Sequence, residues 1–274
     1  MFEGVRNMHK HYNGVFASAL VGVGALCLAT YANADGMPRG AYYAPGAFNW
    51  TGLYVGGDVG GGWGNDHWTF VDTVPPGHTA IPAGFNEGSH NVSGWLAGGQ
   101  IGYNWQTGPW VLGGELKWDW ADLTGDHLTP TFRNLLRTEV DSVGLLTGRV
   151  GYAWDKFLLY GKGGVAWVHD EYGRGFGVAL GGFPAGTIFA EADDWRAGWT
   201  VGAGLEYALA RKWSLAVEYD HVDLGTERVF FHNNAVANSL GFSPFNEKIR
   251  QDLDLLTVRL NFKFGADCCA APLK

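Results

Sequence analysis

Hydrophobic and polar residues alternate with a period of two over long stretches of this chain. The clearest stretch runs from Trp195 to Leu209, where the odd positions are large or apolar and the even positions are mostly glycine or polar. Successive side chains of a β-strand point to opposite faces, so the pattern predicts a strand with one apolar face. The stretch is long for a strand of a soluble protein and suits a tilted membrane strand, which needs about 9–11 residues in the bilayer.

Seven further stretches show the same alternation. They are residues 50–63, 92–106, 110–121, 140–154, 157–169, 213–223 and 253–264. In 157–169, Tyr160 and Lys162 share a face, which a β-bulge or an inward tyrosine would explain. The pattern therefore predicts eight strands.

The connections between these strands alternate in length. Tight turns are predicted at 107–109, 155–156 and 210–212, and long loops at 65–91, 122–139, 170–194 and 224–250. Short turns at one end and long loops at the other are typical of outer-membrane barrels. The predicted fold is all-β: an eight-stranded antiparallel up-and-down transmembrane β-barrel with short periplasmic turns and long extracellular loops.

The polar faces of the strands would line the interior of this barrel. Eight strands enclose little more than their own side chains, so a wide pore is not expected. The predicted interior charge network holds five acids and six bases, a near balance that favours paired side chains, because an unpaired buried charge is costly. Its residues are Glu115, Lys117, Asp119, Arg149, Lys162, Arg196, Glu206, Glu218, Asp220, Arg259 and Lys263. Structural filling is the preferred role, and a narrow conduction path is the alternative.

Inward glycines are predicted to leave room for the long polar side chains and for strand coiling. They include Gly56, Gly98, Gly102, Gly202 and Gly204.

Aromatic residues flank the predicted short turns. Tryptophan and tyrosine prefer the membrane–water interface, where an apolar ring meets wet headgroups. The expected periplasmic girdle consists of Trp105, Trp110, Tyr152, Trp154, Tyr207 and Trp213.

The N-terminus reads as an export signal. Arg6 and Lys10 precede an apolar run from 15 to 29, and Ala32, Asn33 and Ala34 supply a cleavage site of small residues. The predicted organisation is a cleaved signal peptide at 1–34, a flexible periplasmic leader at 35–49, the outer-membrane barrel at 50–264 and a C-terminal tail at 265–274.

Composition and charge narrow the function classes. The chain holds 43 glycines and 13 tryptophans, and only 17% of its residues are charged. Removal of 1–34, which contain Glu3, Arg6 and Lys10, leaves 17 basic and 26 acidic side chains and a net charge of −9. Nucleic acid is therefore not an expected partner. Cys268 and Cys269 are neighbours in the tail and predict no disulfide framework.

Motifs that carry chemistry are weak in this sequence. Ser89 and His90, with His127, could form a hydrolase site only if a nucleophile and a base came within hydrogen-bond reach. His67, His78 and His90 share one predicted loop but lack the tight spacing of metal ligands. No enzyme activity, metal or cofactor is expected.

Four stretches carry a family resemblance: residues 49–57 (NWTGLYVGG), 159–166 (LYGKGGVA), 217–219 (VEY) and 257–264 (TVRLNFKF). With them the chain resembles the small outer-membrane proteins of alphaproteobacteria, called porin-family or outer membrane immunogenic proteins, which have an OmpA-like barrel. The resemblance implies a location in the cell outer membrane of a Gram-negative bacterium, and a role in envelope structure and surface interaction.

The resemblance also implies partners. These are outer-membrane lipid and lipopolysaccharide, the barrel-assembly machinery and an extracellular partner that the sequence does not identify. Phe262 and Phe264 are the expected assembly signal, although family members usually end at the terminal phenylalanine and this chain continues to Lys274. The remaining rival fold is a soluble lipocalin-type or avidin-type barrel, which would bury the apolar strand faces inside.

Overall fold

Eight antiparallel strands, each hydrogen-bonded to the next along the chain, close into a barrel where β8 pairs with β1. A computed structural model describes residues 48–74, 81–129 and 133–264. The strands are β1 (Gly52–Thr73), β2 (Asn86–Thr107), β3 (Trp110–Leu128), β4 (Asn134–Trp154), β5 (Phe157–Phe176), β6 (Ile188–Ala210), β7 (Trp213–Asn233) and β8 (Phe245–Lys263). The eight predicted strands and the closed antiparallel ring are confirmed. The predicted signal peptide, nearly all of the leader and the tail lie outside the described residues.

The strand register sets the tilt of the barrel. Pairing partners followed once around the ring from Tyr54 return to β1 at Gly64, ten positions further on. A shear of ten over eight strands corresponds to a tilt of roughly 40°, so each residue rises roughly 2.5 Å along the barrel axis.

The outer surface carries an apolar band bounded by two aromatic rings. The lower ring flanks the short turns, and the upper ring consists of the exposed residues Trp63, Trp95, Trp120, Trp167 and Trp199. On β1 the band extends from Leu53 to Trp63, a height of roughly 25 Å, which matches the apolar band of outer-membrane barrels. Below the upper ring the strands form the membrane half of the barrel, and above it they form the extracellular half.

The long loops predicted from sequence are mostly strand, and this part of the prediction is wrong. β8 begins at Phe245 and β7 continues to Asn233, so the predicted loop 224–250 shrinks to 234–244. The other three loops shrink in the same way, to 74–85, 129–133 and 177–187. Backbone pairing simply continues past the bilayer, which lifts the sheet well above the upper ring.

The interior changes character with height. Charged, amide and hydroxyl side chains fill most of the membrane half, and a small apolar cluster that includes Trp50, Val111, Leu158 and Ala208 lies at its short-turn end. Above them lies an apolar plug of Val92, Leu96, Leu123, Val140, Val143, Leu145, Ala166, Val168, Val222, Leu224, Leu253 and Leu255. The extracellular half holds an aromatic core around Trp68, Phe70, Tyr172, Phe176, Phe189, Phe231 and Phe245.

A short helix in the connection between β7 and β8 packs on this core. Asn234 is the N-cap of helix α1 (Ala235–Ser239), and its side chain accepts hydrogen bonds from the backbone N–H groups of Val236 and Ala237. Ala237 is fully buried in the aromatic core. Among the described residues, no helix has the length and apolar character to cross a membrane.

Candidate functional site

All eleven residues of the predicted interior network have buried side chains inside the barrel. Nine of them gather in the membrane half, where β3 to β8 bring them to neighbouring heights. Arg196 and Lys263 lie elsewhere. We call the gathered residues, together with Asp58, the ion network; its members are Asp58, Glu115, Lys117, Asp119, Arg149, Lys162, Glu206, Glu218, Asp220 and Arg259.

Arg259 lies at the centre of the ion network. Its two terminal nitrogens donate to Glu115 and to Glu218, one to each. Glu115 is on β3 and Glu218 on β7, and these strands are four apart in a ring of eight, on opposite walls. The three side chains therefore bridge the lumen from wall to wall.

Two tyrosines complete the coordination of the glutamates. Tyr54 donates to Glu115 at 2.7 Å and Tyr160 donates to Glu218 at 2.6 Å. The rings of both stack against Arg149, whose guanidinium carbon lies 4.6 and 5.0 Å from their centroids. Tyr160 points inward, which resolves the two possibilities left open for β5 in favour of the inward tyrosine.

Lysine side chains extend the ion network along the lumen. The Lys162 ammonium lies 2.8 Å from Glu218, 3.2 Å from Asp220 and 3.4 Å from Glu115. The Lys117 ammonium lies 3.2 Å from Asp119 and 3.6 Å from Asp58. Each lysine thus serves more than one carboxylate.

Towards the short turns, Arg149 and Glu206 form the last layer of the ion network. Their charged groups lie 3.7 Å apart, and Arg149 also donates to Asn104 at 2.8 Å. Glu206 accepts from Asn261 at 2.9 Å and from Ser214. Amide and hydroxyl groups here satisfy polar atoms that the opposing charge does not reach.

The structure does not bring Arg196 and Lys263 into this cluster. Arg196 lies above the apolar plug, where it donates to Tyr172 at 3.1 Å and to Gln251 at 3.0 Å. Lys263 lies at the lower mouth, donates to the backbone of Asn49 and lies over the ring of Phe48. Two of the six predicted bases therefore lie outside the ion network.

The charge balance of the cluster differs from the prediction. The sequence prediction does not include Asp58, which falls inside the glycine-rich run 56–62 but lies on the same inward face of β1 as Tyr54. With Asp58 included, six acids face four bases within the ion network. A period-two count along β1 would have found it.

Two of the predicted inward glycines make room for the tyrosines. The Tyr54 ring lies against Gly102, and the Tyr160 ring lies against Gly204, where a methyl group would overlap ring atoms. Because these positions carry no side chain, each tyrosine ring can lie flat along the inner wall and its hydroxyl can reach the glutamate. The predicted role of these glycines is thus narrower: they accommodate aromatic rings.

The apolar plug closes the lumen above the ion network. Nearly all of its side chains are fully buried, and a Cβ at Gly62 would lie 3.0 Å from methyl groups of both Leu123 and Leu255. Within the described residues, the lumen is occupied in turn by ionic groups, aliphatic groups and aromatic rings.

The extracellular half contains a second, smaller ion cluster. Arg174 of β5 donates to Glu87 of β2 and to Glu247 of β8, and all three side chains are almost fully buried. Burial raises the pKa of Glu247 above its usual range, against the attraction of Arg174 and with the repulsion of Glu87. The cluster ties three strands together inside the aromatic core.

Four of the six predicted interfacial aromatics lie in one row of ring contacts at the short turns. Trp110 lies 5.4 Å from Tyr152, Tyr152 lies 6.4 Å from Trp154, and Tyr207 joins them through Phe157. Trp105 is exposed at the same level. The rings stand where an apolar band meets the end of the barrel.

The expected assembly signal lies at the same end of the barrel. Phe262 packs against Trp213 at 5.0 Å and against Phe264 at 5.1 Å, both as ring-centroid distances. The backbone of Phe264 donates to Leu53 at 2.7 Å, so the end of β8 is held on β1.

The described residues considered for a hydrolase site or a metal site lie on different faces of the barrel wall. Ser89 faces outward and His90 inward, so they cannot act as a nucleophile–base pair. His67 and His90 lie on opposite faces of the wall, and His78 lies outside the described residues. The described part of the chain holds no group of three or more potential metal ligands placed to share an ion.

Comparison with known proteins agrees with this architecture. The sequence matches the family described as "Outer membrane protein beta-barrel domain" over residues 18–246, most of the chain. The 31 kDa outer-membrane immunogenic protein of Brucella melitensis is 30% identical over 223 residues, which cover 79% of this chain and 85% of that protein.

Two more matches are weaker. The 22 kDa outer membrane protein of Rhizobium leguminosarum bv. viciae is 31% identical over 46% of this chain and 52% of its own. The crystal structure of the outer membrane protein OprG from Pseudomonas aeruginosa superposes with a TM-score of 0.48 and 12% identity, covering 80% of this chain and 99% of OprG.

The relatives are named as outer-membrane proteins, several of them as immunogenic ones. The family match, the closed ring of eight strands and the apolar outer band agree. The chain belongs to the outer-membrane β-barrel family and is an integral protein of the outer membrane of a Gram-negative bacterium.

Proposed function

We propose that this protein is a closed, non-catalytic structural barrel that anchors its extracellular half at the bacterial surface. The observation that carries the proposal is the bridge from Glu115 through Arg259 to Glu218, which crosses the lumen from one wall to the other. A side chain shared by opposite walls stiffens the barrel and occupies the space that a solute would need.

The physical chemistry of the lumen supports closure over conduction. To open a path, Arg259 would have to leave two buried carboxylates, and separating a buried charge from its partners costs several kcal/mol. A path would then still have to cross the apolar plug, whose aliphatic side chains offer no hydrogen bond to water or ions. The narrow channel is therefore not favoured.

The proposal includes partners. Outer-membrane lipid surrounds the apolar band, and lipopolysaccharide would surround the outer-leaflet end of it. The barrel-assembly machinery would recognise the end of β8, with Phe262 and Phe264 as the signal.

Planar-bilayer recording of the purified protein tests closure. We expect no steady opening for the wild type. The double variant Arg259→Ala and Leu255→Ala, which removes the bridge and part of the plug, should show brief small openings. Leu256→Ala, which changes a lipid-facing neighbour of Leu255, serves as the matched control and should stay silent. Steady large-conductance opening of the wild type would refute the proposal.

A further inference from the structure

Three cations face outward together in the extracellular half. Arg228 of β7 and Lys248 of β8 are direct cross-strand partners, and Arg250 lies two residues from Lys248 on the same face of β8. All three are exposed, and none makes an ion pair within the part of the chain that the structure describes. We call Arg228, Lys248 and Arg250 the cationic patch.

The cationic patch is unfavourable for folding. Like charges placed directly opposite each other in an antiparallel pair are destabilising. His67 of β1 is the cross-strand partner of Arg250, so no acidic side chain lies directly opposite Arg250 on that strand. The neighbouring carboxylate Glu227 is turned towards Arg196 at 3.6 Å. Asp252 lies two residues below Arg250 on β8 and makes no ion pair with it.

The rest of the extracellular surface has the opposite charge. Five cations are exposed in the described extracellular half, and three of them form the cationic patch; the other two are Arg133 and Arg137. Glu139, Glu171 and Asp193 are successive cross-strand partners on β4, β5 and β6. This acidic row would repel the anion that the cationic patch attracts, so recognition of an anion would be confined to one side of the barrel.

The height of the cationic patch indicates what the anion is. His67, the partner of Arg250, lies four residues beyond Trp63 of the upper aromatic ring, which is roughly 10 Å above the ring. That level is just outside the hydrocarbon region, where the phosphorylated inner sugars of the outer-leaflet glycolipid lie. Arginine matches phosphate with paired donors and lysine with a point charge.

We propose that the cationic patch binds the phosphate groups of lipopolysaccharide and so fixes one glycolipid molecule against β7, β8 and β1. The proposal rests on the proposed function only for its membrane location. A second copy of the chain, docked through its acidic row, is the competing occupant.

The test measures binding of purified phosphorylated lipopolysaccharide to the full mature protein in detergent, with a chelator present so that no divalent ion bridges through carboxylates. The variant is Arg228→Gln, Lys248→Gln and Arg250→Gln together. We expect its affinity to fall about tenfold or more, since each cation near an anionic surface contributes severalfold. Enzymatically dephosphorylated lipopolysaccharide should bind the wild type equally weakly.

Arg137→Gln is the matched control, because Arg137 is an exposed cation at similar height that pairs with Glu139 at 3.8 Å. Its affinity should stay within about twofold of the wild type. Heat-modifiable gel migration confirms that each variant is folded, and Lys248→Gln alone serves if the triple variant is not. Unchanged binding by the folded variant, or equal binding of dephosphorylated lipid, overturns the proposal.

The oligomeric state of the protein in lipopolysaccharide-free detergent distinguishes the two possible occupants of the cationic patch, lipopolysaccharide and a second copy of the chain. If the wild type is oligomeric and the triple variant is monomeric, the cationic patch is a contact between two copies of the chain. That result would also overturn the proposal. Conductance is independent of both results, so a conducting wild type would refute the closed barrel and leave the cationic patch untouched.

Discussion

The two halves of this barrel differ in which face carries most of the apolar side chains. In the membrane half, charges such as Arg259 and Glu115 point inward and leucines and valines point outward. In the extracellular half, Trp68 and Phe231 point inward, and Lys248 and Arg250 point outward. The strands and their register run through both halves without interruption, so the surroundings decide which set of side chains lies inside.

Strand β8 shows the inversion within one element. Its odd positions face inward throughout, but they are apolar at Leu253 and Leu255 and polar at Thr257 and Arg259. The apolar set moves to even positions from Leu256 onward. The adjacent leucines 255 and 256 mark the level at which water outside gives way to lipid.

The largest effect is expected from breaking the bridge in the membrane half. Arg259→Met removes one of the two cations that Glu115 and Glu218 share and leaves only Lys162 between them. We expect a loss of about 3–5 kcal/mol in the free energy of unfolding, because buried carboxylates lose a hydrogen-bonded charge partner. Urea unfolding in lipid vesicles measures it. Lys156→Met, at an exposed turn, is the control and should change stability by less than about 0.5 kcal/mol. A loss below about 1 kcal/mol for Arg259→Met would contradict the central role of the bridge.

The second-largest effect is expected from a charge introduced on the outer face, which should destabilise the membrane half much more than the extracellular half. Val258→Arg places a cation near the middle of the apolar band and should cost about 2–4 kcal/mol. Asn246→Arg, on the outer face of the same strand in the extracellular half, should cost almost nothing. Equal costs at the two positions, read from the same unfolding experiment, would mean that the band does not face lipid.

The two leucines at the inversion level give a smaller contrast. Leu255→Ala opens a cavity in the apolar plug and should cost about 2–5 kcal/mol, because Leu255 is fully buried. Leu256→Ala should cost about 1 kcal/mol or less, since lipid fills the space. Urea unfolding of both variants in lipid vesicles measures the two costs. A larger cost for Leu256→Ala would mean that Leu256, and not Leu255, faces the interior.

The smallest effect is expected in the extracellular ion cluster. Glu247→Gln should change stability by less than about 1 kcal/mol, because Arg174 keeps Glu87 and because burial already raises the pKa of Glu247. A raised pKa favours the protonated form in the fold, so the wild type should lose stability relative to the variant as pH rises above the ordinary glutamate pKa. Unfolding midpoints of both proteins across pH would show this, and the opposite trend would mean that Glu247 is held charged.

Sequence reasoning located the membrane half well and the extracellular half poorly. Alternation in 195–209 or 256–264 is easy to recognise, because the apolar set faces outward along the whole segment. In the extracellular half most apolar residues of the strands lie on the inner face. A sequence that crosses this change of face resembles an irregular polar loop. Searching for adjacent apolar pairs such as Leu145 and Leu146 would have revealed that the strands continue.

By itself the sequence determined the eight strands, the tight turns, and which side chains of the membrane half point inward, because a period of two fixes the face of every residue. Only the tertiary structure decided which inward charges meet. Arg259 joins Glu115 and Glu218, whereas Arg196, equally inward, lies above the plug. Shear and closure set the height at which each strand presents its residues, and no single strand carries that information.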